Sequence, residues 1–205
     1  MATTSQSKKS EEKRLYILDS STDLVSHKGF VGLGLQEILK HSSVPKGSFY
    51  HYFQSKEAFG CELLSYYITD YQERLALLWN NNQTPLQKIL SYFKVWIEDE
   101  NIGEGWAEKC LIVKLAAEVA DLSEDMRLIM DTGVQHLLNQ ITYLIEQGKQ
   151  DGSITVVTEP KVAAQVIYQM WLGAALLSKL QKSKTPLHQA LQATEHMLNH
   201  STQIN

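Results

Sequence analysis

Between Ser123 and Gly148 the apolar residues Met126, Ile129, Val134, Leu137, Leu138, Ile141 and Ile145 recur at three- and four-residue steps, the spacing that aligns side chains along one face of an α-helix. Ser123 is a suitable N-cap, and Glu124 and Asp125 place negative charge in the first turn, where the helix dipole favours it. The same period returns along most of the chain. It predicts helices from Glu11 to about His27, from Ser55 to about Trp79, from Thr84 through Ile97, from about Ala107 to Val119, from about 160 to 181 and from 186 to 199. The start at Thr84-Pro85-Leu86-Gln87 combines a capping threonine, proline at the first helical position and glutamine three residues after the cap. Only Ile154-Thr155-Val156-Val157 alternates like a strand, and with no partner strand in the sequence it reads as an extended linker. With two further short segments near the N-terminus, the count is nine helices in an all-α fold.

The chain has 205 residues, room for one large domain or two small ones. Hydrophobic residues make up 43% and Gly plus Pro only 15 residues, so disorder and collagen are excluded. No run approaches the roughly 18 apolar residues of a membrane span, and the beginning lacks the apolar core of a signal peptide, so a cytoplasmic location is expected. Cys61 and Cys110 are the only cysteines, too few for a disulfide framework or an all-thiolate zinc site. The seven histidines have no close metal spacing with acidic residues. There is no H-E-x-x-H, phosphate-binding glycine loop or serine elbow, so neither an enzyme nor a resident cofactor is expected. The Glu98-Asp99-Glu100 run reads as a solvated helix end.

Residues 1–9 read as a flexible basic tail, with Ser10 a possible cap for the first helix. That helix exits at Lys28-Gly29. A short helix from Leu35 to about Lys40 and a second across Lys46-Gly47-Ser48-Phe49-Tyr50-His51-Tyr52-Phe53 are joined by the tight connection His41-Ser42-Ser43-Val44-Pro45. Three helices of this kind bury a small core and leave one short helix protruding, a shape that fits the DNA major groove. Lys46, Ser48, Tyr50 and His51 carry suitable donors or acceptors, Tyr52 offers a hydroxyl to sugar-phosphate, and Lys56 a further phosphate contact. Phe49 and Phe53 are expected to anchor the helix. Charge is divided in agreement: residues 1–60 hold eight basic residues against six acidic, whereas the remainder carries a net −6. A helical adaptor would share the amphipathicity but would not explain that display.

Helix one ending in Gly29-Phe30, the Leu35-Gln36-Glu37-Ile38 segment, and Val44-Pro45-Lys46-Gly47-Ser48-Phe49-Tyr50-His51-Tyr52-Phe53 with Ser55-Lys56-Glu57 together resemble the TetR-type repressors. The resemblance implies a helix-turn-helix domain at 10–55 and a sensing and dimerisation domain at 56–205. It further implies a homodimer on palindromic operator DNA, paired through the last two long helices and released when a small-molecule inducer binds. In this pattern Gly47 permits close approach of the backbone to DNA.

Cys110-Leu111-Ile112-Val113-Lys114-Leu115-Ala116-Ala117-Glu118-Val119, then Asp121-Leu122-Ser123-Glu124-Asp125-Met126-Arg127, and Trp171-Leu172-Gly173-Ala174 resemble the NemR-type regulators, which respond to reactive electrophiles and oxidants. The resemblance implies that Cys110 is the sensor, with Lys179 where a partner lysine sits. Ala120 stands where that group can carry another cysteine, which argues against a disulfide among several thiols. Cys110 also falls near a helix start, beside Lys109 and one turn before Lys114, a setting that favours thiolate; a buried cysteine can equally be a small core residue. The alternative is non-covalent induction by an apolar or aromatic ligand in a cavity lined by Trp96, Trp106, Tyr92, Phe93, Tyr143, Tyr168 and Met170, positions that could equally be core.

Overall fold

A computed structural model describes residues 2–156 and 158–199, with side chains from residue 8 onward. Nine α-helices follow one another among these residues: α1 Ala2–Lys28, α2 Leu35–His41, α3 Lys46–Tyr52, α4 Lys56–Trp79, α5 Pro85–Ile97, α6 Leu111–Leu122, α7 Glu124–Asp151, α8 Pro160–Gln181 and α9 Thr185–Asn199. The only β pairing among the described residues is an isolated bridge between Asp99 and Glu104. The all-α reading therefore holds, and among the described residues no helix is long and apolar enough to cross a membrane.

α1 begins at Ala2 rather than at Ser10. Residues 2–9 contain neither glycine nor proline, so nothing in them breaks the helix. α5 starts as its sequence demands: the Thr84 hydroxyl accepts from Gln87 N at 3.3 Å, and the Gln87 side chain accepts from Thr84 N at 3.0 Å. α6 departs from expectation, starting at Leu111 instead of near Ala107. The chain is first pulled back onto the end of α5: Trp106 N donates to Val95 O at 3.0 Å and Ala107 N to Trp96 O at 3.2 Å. Gly105 permits this approach, since a Cβ there would collide with the carbonyls of Trp96 and Ile97. The linker after α7 is extended, with Thr155 N donating to Leu198 O at 2.9 Å.

The helices divide into two compact units. One contains the chain up to Tyr71 together with Lys114–Thr132; the other contains Gln72–Val113 and the chain from Gly133 onward. The core of the first is built from Ile17, Leu18, Val25, Phe30, Leu33, Ile38, Phe49, Phe53, Phe59 and Leu63. In the second, α8 packs on α9 and α9 on α5 around Tyr92, Phe93, Trp96 and Trp171. The Trp171 indole N–H donates to Thr194 Oγ1 at 2.8 Å, and that fully buried hydroxyl donates to Ala190 O at 2.7 Å.

Candidate nucleic-acid interface and sensor region

α3 is seated by aromatic packing. Phe49 lies with its ring centroid 5.1 Å from that of Phe53 and 5.4 Å from that of Phe59, and the Phe53 and Phe59 rings are 5.1 Å apart. All three are fully buried, as expected for Phe49 and Phe53. Ser42 and Ser43 make the turn: the Ser42 hydroxyl donates to Ile38 O at 2.8 Å, and Ser43 takes a φ of 53°, so the chain reverses without a glycine. With the phenylalanines inward, Lys46, Gly47, Tyr50 and His51 are exposed, and Ser48 and Tyr52 are half-exposed. No atom lies within 4 Å of where a Cβ on Gly47 would stand, so this face is open along its backbone. It offers an ammonium, a phenol and an imidazole on one side of a short helix, a geometry that can enter a groove of duplex DNA.

Lys56 sits differently from its expected outward role. Its Nζ donates to Phe30 O at 2.8 Å and lies 4.7 Å from the Phe30 ring centroid. Burial pushes its pKa down, against the opposing charge of Glu118. Part of this ammonium's bonding capacity is thus spent on its own domain. Sequence reasoning set Lys114 of α6 near the Cys110 thiol and gave Glu118 no role of its own. Lys114 Nζ donates to His27 O at 2.9 Å, and the Glu118 carboxylate accepts from Val31 N–H. These pairs join residues 87 apart, and no local pattern signals them.

Cys110 immediately precedes the first residue of α6 and is 2% exposed. The segment leading to it is tied by Asp99, whose carboxylate accepts from the Trp106 indole at 2.7 Å and from both N–H groups of Asn101 at 3.0 Å. Lys109, expected to act on the thiol, forms an ion pair with Glu104 at 2.7 Å. Lys114 is directed to His27 O, and the start of α6 immediately after Cys110 is a feature of the expected setting that favours thiolate. Lys179 is exposed on α8 and lines a surface groove of about 480 Å³ with Glu108, Ser178, Lys182, Ser183 and Lys184. At Cys61, burial and then the charges of Asp125 and Glu57 push the thiol's pKa up, which disfavours thiolate.

The expected cavity-lining aromatics form a packed cluster. Tyr92, Phe93, Trp96, Trp106 and Tyr168 are all buried, with Tyr92 to Trp106 at 6.4 Å and Trp96 to Tyr168 at 6.3 Å between centroids. Trp171, absent from the expected set, stacks on Phe93 at 4.3 Å. Tyr143 does not belong to this interior: it is 60% exposed, because its position on α7 falls on the solvent side. Met170 is half-buried. α8 also presents Val162, Val166, Leu176, Leu177 and Leu180 as an exposed apolar face.

Residues 17–59 match the family described as bacterial regulatory proteins, tetR family, and residues 85–194 match the tetracyclin repressor-like, C-terminal domain. The HTH-type transcriptional repressor NemR of Escherichia coli (strain K12) is 40% identical over 188 residues, covering 91% of this chain and 94% of that protein. The crystal structure of the reduced form of E. coli NemR superimposes with a TM-score of 0.83 at 39% identity, covering 93% of this chain and 99% of that one. A putative transcriptional regulator of the TetR/AcrR family is 60% identical, with a TM-score of 0.84 over 92% of this chain and all of the other. The chain belongs to the tetR family: it is a DNA-binding repressor with an N-terminal helix-turn-helix that dimerises through its C-terminal helices.

Proposed function

We propose that this repressor leaves a palindromic operator when a reactive electrophile or oxidant modifies Cys110. In this reading residues 10–55 form the DNA-binding head, and residues 56–205 the sensing and dimerising domain. Lys46, Gly47, Ser48, Tyr50, His51 and Tyr52 face DNA, and Lys56 adds a phosphate contact with the N–H groups it has left.

The observation that carries the sensing role is the position of Cys110 at the entry of α6, where the positive end of the helix dipole favours negative charge on sulfur. A thiolate there adds to the β-carbon of an α,β-unsaturated carbonyl, forming a C–S bond while solvent delivers a proton to the α-carbon. An adduct at a side chain that is 2% exposed cannot be housed without local repacking. The solved E. coli relative is named as a reduced form, which is consistent with thiol chemistry in this group. Lys179 takes part if the altered packing brings it to the modified sulfur.

Induction by a non-covalent ligand is the other reading. It requires Trp96, Trp106 and Tyr168 to part, and their ring-on-ring packing weighs against it. One experiment tests both: the DNA upstream of the protein's own gene is titrated with wild-type, Cys110→Ser and Cys61→Ser protein, with and without N-ethylmaleimide. Wild type and Cys61→Ser are expected to release DNA on alkylation, and Cys110→Ser to hold it. Release of Cys110→Ser at the wild-type dose overturns the proposal. Saturable binding of a small apolar ligand that frees the DNA while Cys110 is blocked establishes the alternative.

A further inference from the structure

α6 holds the loop between α1 and α2 by polar contacts at two of its residues. Lys114 Nζ donates to the carbonyl of His27 at 2.9 Å, one of the carbonyls that the C-terminus of α1 leaves without an intrahelical partner. One turn further along, the Glu118 carboxylate accepts from Val31 N–H, a loop amide outside any helix. The contact extends to Gly29, where φ is +79° and a Cβ would stand 2.8 Å from Glu118 Oε2. Between these points Phe30 is fixed by Lys56 through its carbonyl and ring. Its ring tip also lies against Gly60, where a Cβ would be 2.6 Å from Phe30 Cζ and 2.9 Å from Met126.

The held loop leads directly into α2 and α3. Lys28, at the end of α1, forms an ion pair with Glu37 of α2, and Glu37 also accepts from Gly34 N at 3.2 Å. α2 then passes into the Ser42-Ser43 turn and α3. The loop is the covalent link between α1 and the α2–α3 pair, and it receives polar side chains of α6, Lys114 at its α1 end and Glu118 at Val31. Each of these hydrogen bonds is directional, so together they set where the loop lies.

We propose that Glu118 and Lys114 are positioning residues for operator binding, holding the α1–α2 loop so that α3 is presented in its DNA-binding orientation. The proposal also gives the Cys110 reading, on which this part rests, a route to DNA. Cys110 precedes by eight residues the glutamate that holds the loop, about 12 Å along a helix at its usual rise. A repacking at the start of α6 shifts the residues that grip the loop.

The test uses the full-length protein and a duplex carrying the DNA upstream of its own gene. Wild type, Glu118→Ala, Glu118→Gln and Lys114→Met are compared for operator affinity before and after alkylation with N-ethylmaleimide, with adduct formation at Cys110 followed by mass spectrometry. Glu118→Ala is expected to bind the unmodified operator at least about tenfold more weakly, the scale of one lost charge-assisted hydrogen bond. Glu118→Gln keeps an oxygen acceptor for Val31 N–H and is expected to stay within about threefold of wild type, a rescue that a bulk packing effect would not discriminate. Lys114 is exposed, so Lys114→Met retains the fold, as circular dichroism will check, and loses affinity in the same direction.

Unchanged affinity in both Glu118→Ala and Lys114→Met overturns the positioning role, as does equal loss in Glu118→Ala and Glu118→Gln. For the route from Cys110, Glu118→Ala is expected to form the adduct like wild type while its remaining affinity changes less than about threefold; a full wild-type-sized drop overturns that route. If wild type itself keeps its operator after complete alkylation, the Cys110 reading has failed, and the unmodified-affinity comparison still decides the positioning role.

Discussion

The indole N–H of Trp106 meets the Asp99 carboxylate at 2.7 Å, closing the loop that precedes the candidate sensor cysteine. In Asp99→Ala the indole of a 6%-exposed tryptophan loses its acceptor, a loss of about 1–3 kcal/mol. The expected outcome is a Tm lower by about 2–10 °C for a domain of this size. Alkylation of Cys110 is expected to be faster by about threefold or more as the loop opens locally. Differential scanning calorimetry and timed labelling with mass spectrometry measure the two effects; if neither moves, Asp99 does not hold the loop.

The same carboxylate makes the loop acid-sensitive. Burial pushes the Asp99 pKa up, but hydrogen bonds from Trp106 and Asn101, with the charge of Arg74, hold it below its ordinary value. A folded-state value below the unfolded one contributes stability that is complete above the unfolded pKa and is lost as pH falls through the folded pKa. Tryptophan emission is therefore expected to stay level from about pH 7 to pH 5 and to change below about pH 4, near and under the unperturbed carboxylate value. Asp99→Asn is expected to remove that transition. A wild-type transition centred near neutrality would contradict this assignment.

On the α3 face, Lys46 and His51 should fail differently. If Lys46 contacts phosphate, Lys46→Ala weakens operator and scrambled duplex alike and lowers the slope of log K against log salt by about 1. If His51 contacts a base edge, His51→Ala costs about 1–3 kcal/mol on operator and much less on scrambled DNA. Fluorescence anisotropy across a salt series separates them, and identical profiles for the two variants would remove the distinction.

Leu177 lies on the exposed apolar face of α8 with Leu176 and Leu180. If this face is the one through which the C-terminal helices pair, the carboxylate of Leu177→Glu weakens the dimer by about 2 kcal/mol or more, roughly thirtyfold. Sedimentation velocity reads the shift toward monomer, and operator affinity is expected to fall with it. A wild-type dimer constant would move the contact elsewhere on α8 or α9.

Much of the fold was legible because it is periodic. The apolar spacing gave every helix, and the Thr84-Pro85-Gln87 start is realised in its hydrogen bonds. The α3 display was partly legible for the same reason: Phe49 and Phe53 are separated by one turn, so fixing them inward turns Tyr50 and His51 outward, while Lys46 is exposed as the first residue of the helix. The start of α6 was not legible, because residues 106–110 carry a helical pattern that backbone bonds from Trp106 and Ala107 to α5 override. Tyr143 shares the composition of a ligand-box residue but lies on the wrong side of its helix. Lys56 has the type and position of a phosphate contact, yet its amine is drawn to a carbonyl 26 residues away. The Glu118 contact is more distant still and specific to a single N–H, so only the assembled chain reveals it.

One hydroxyl governs how α8 lies on α9. Thr194 receives the Trp171 indole and gives its own proton to Ala190 of the same helix, so a one-residue slip between the helices would strand the indole N–H in an apolar interior. The register of α8 on α9 is thereby set within one chain, by a single polar pair added to the apolar packing.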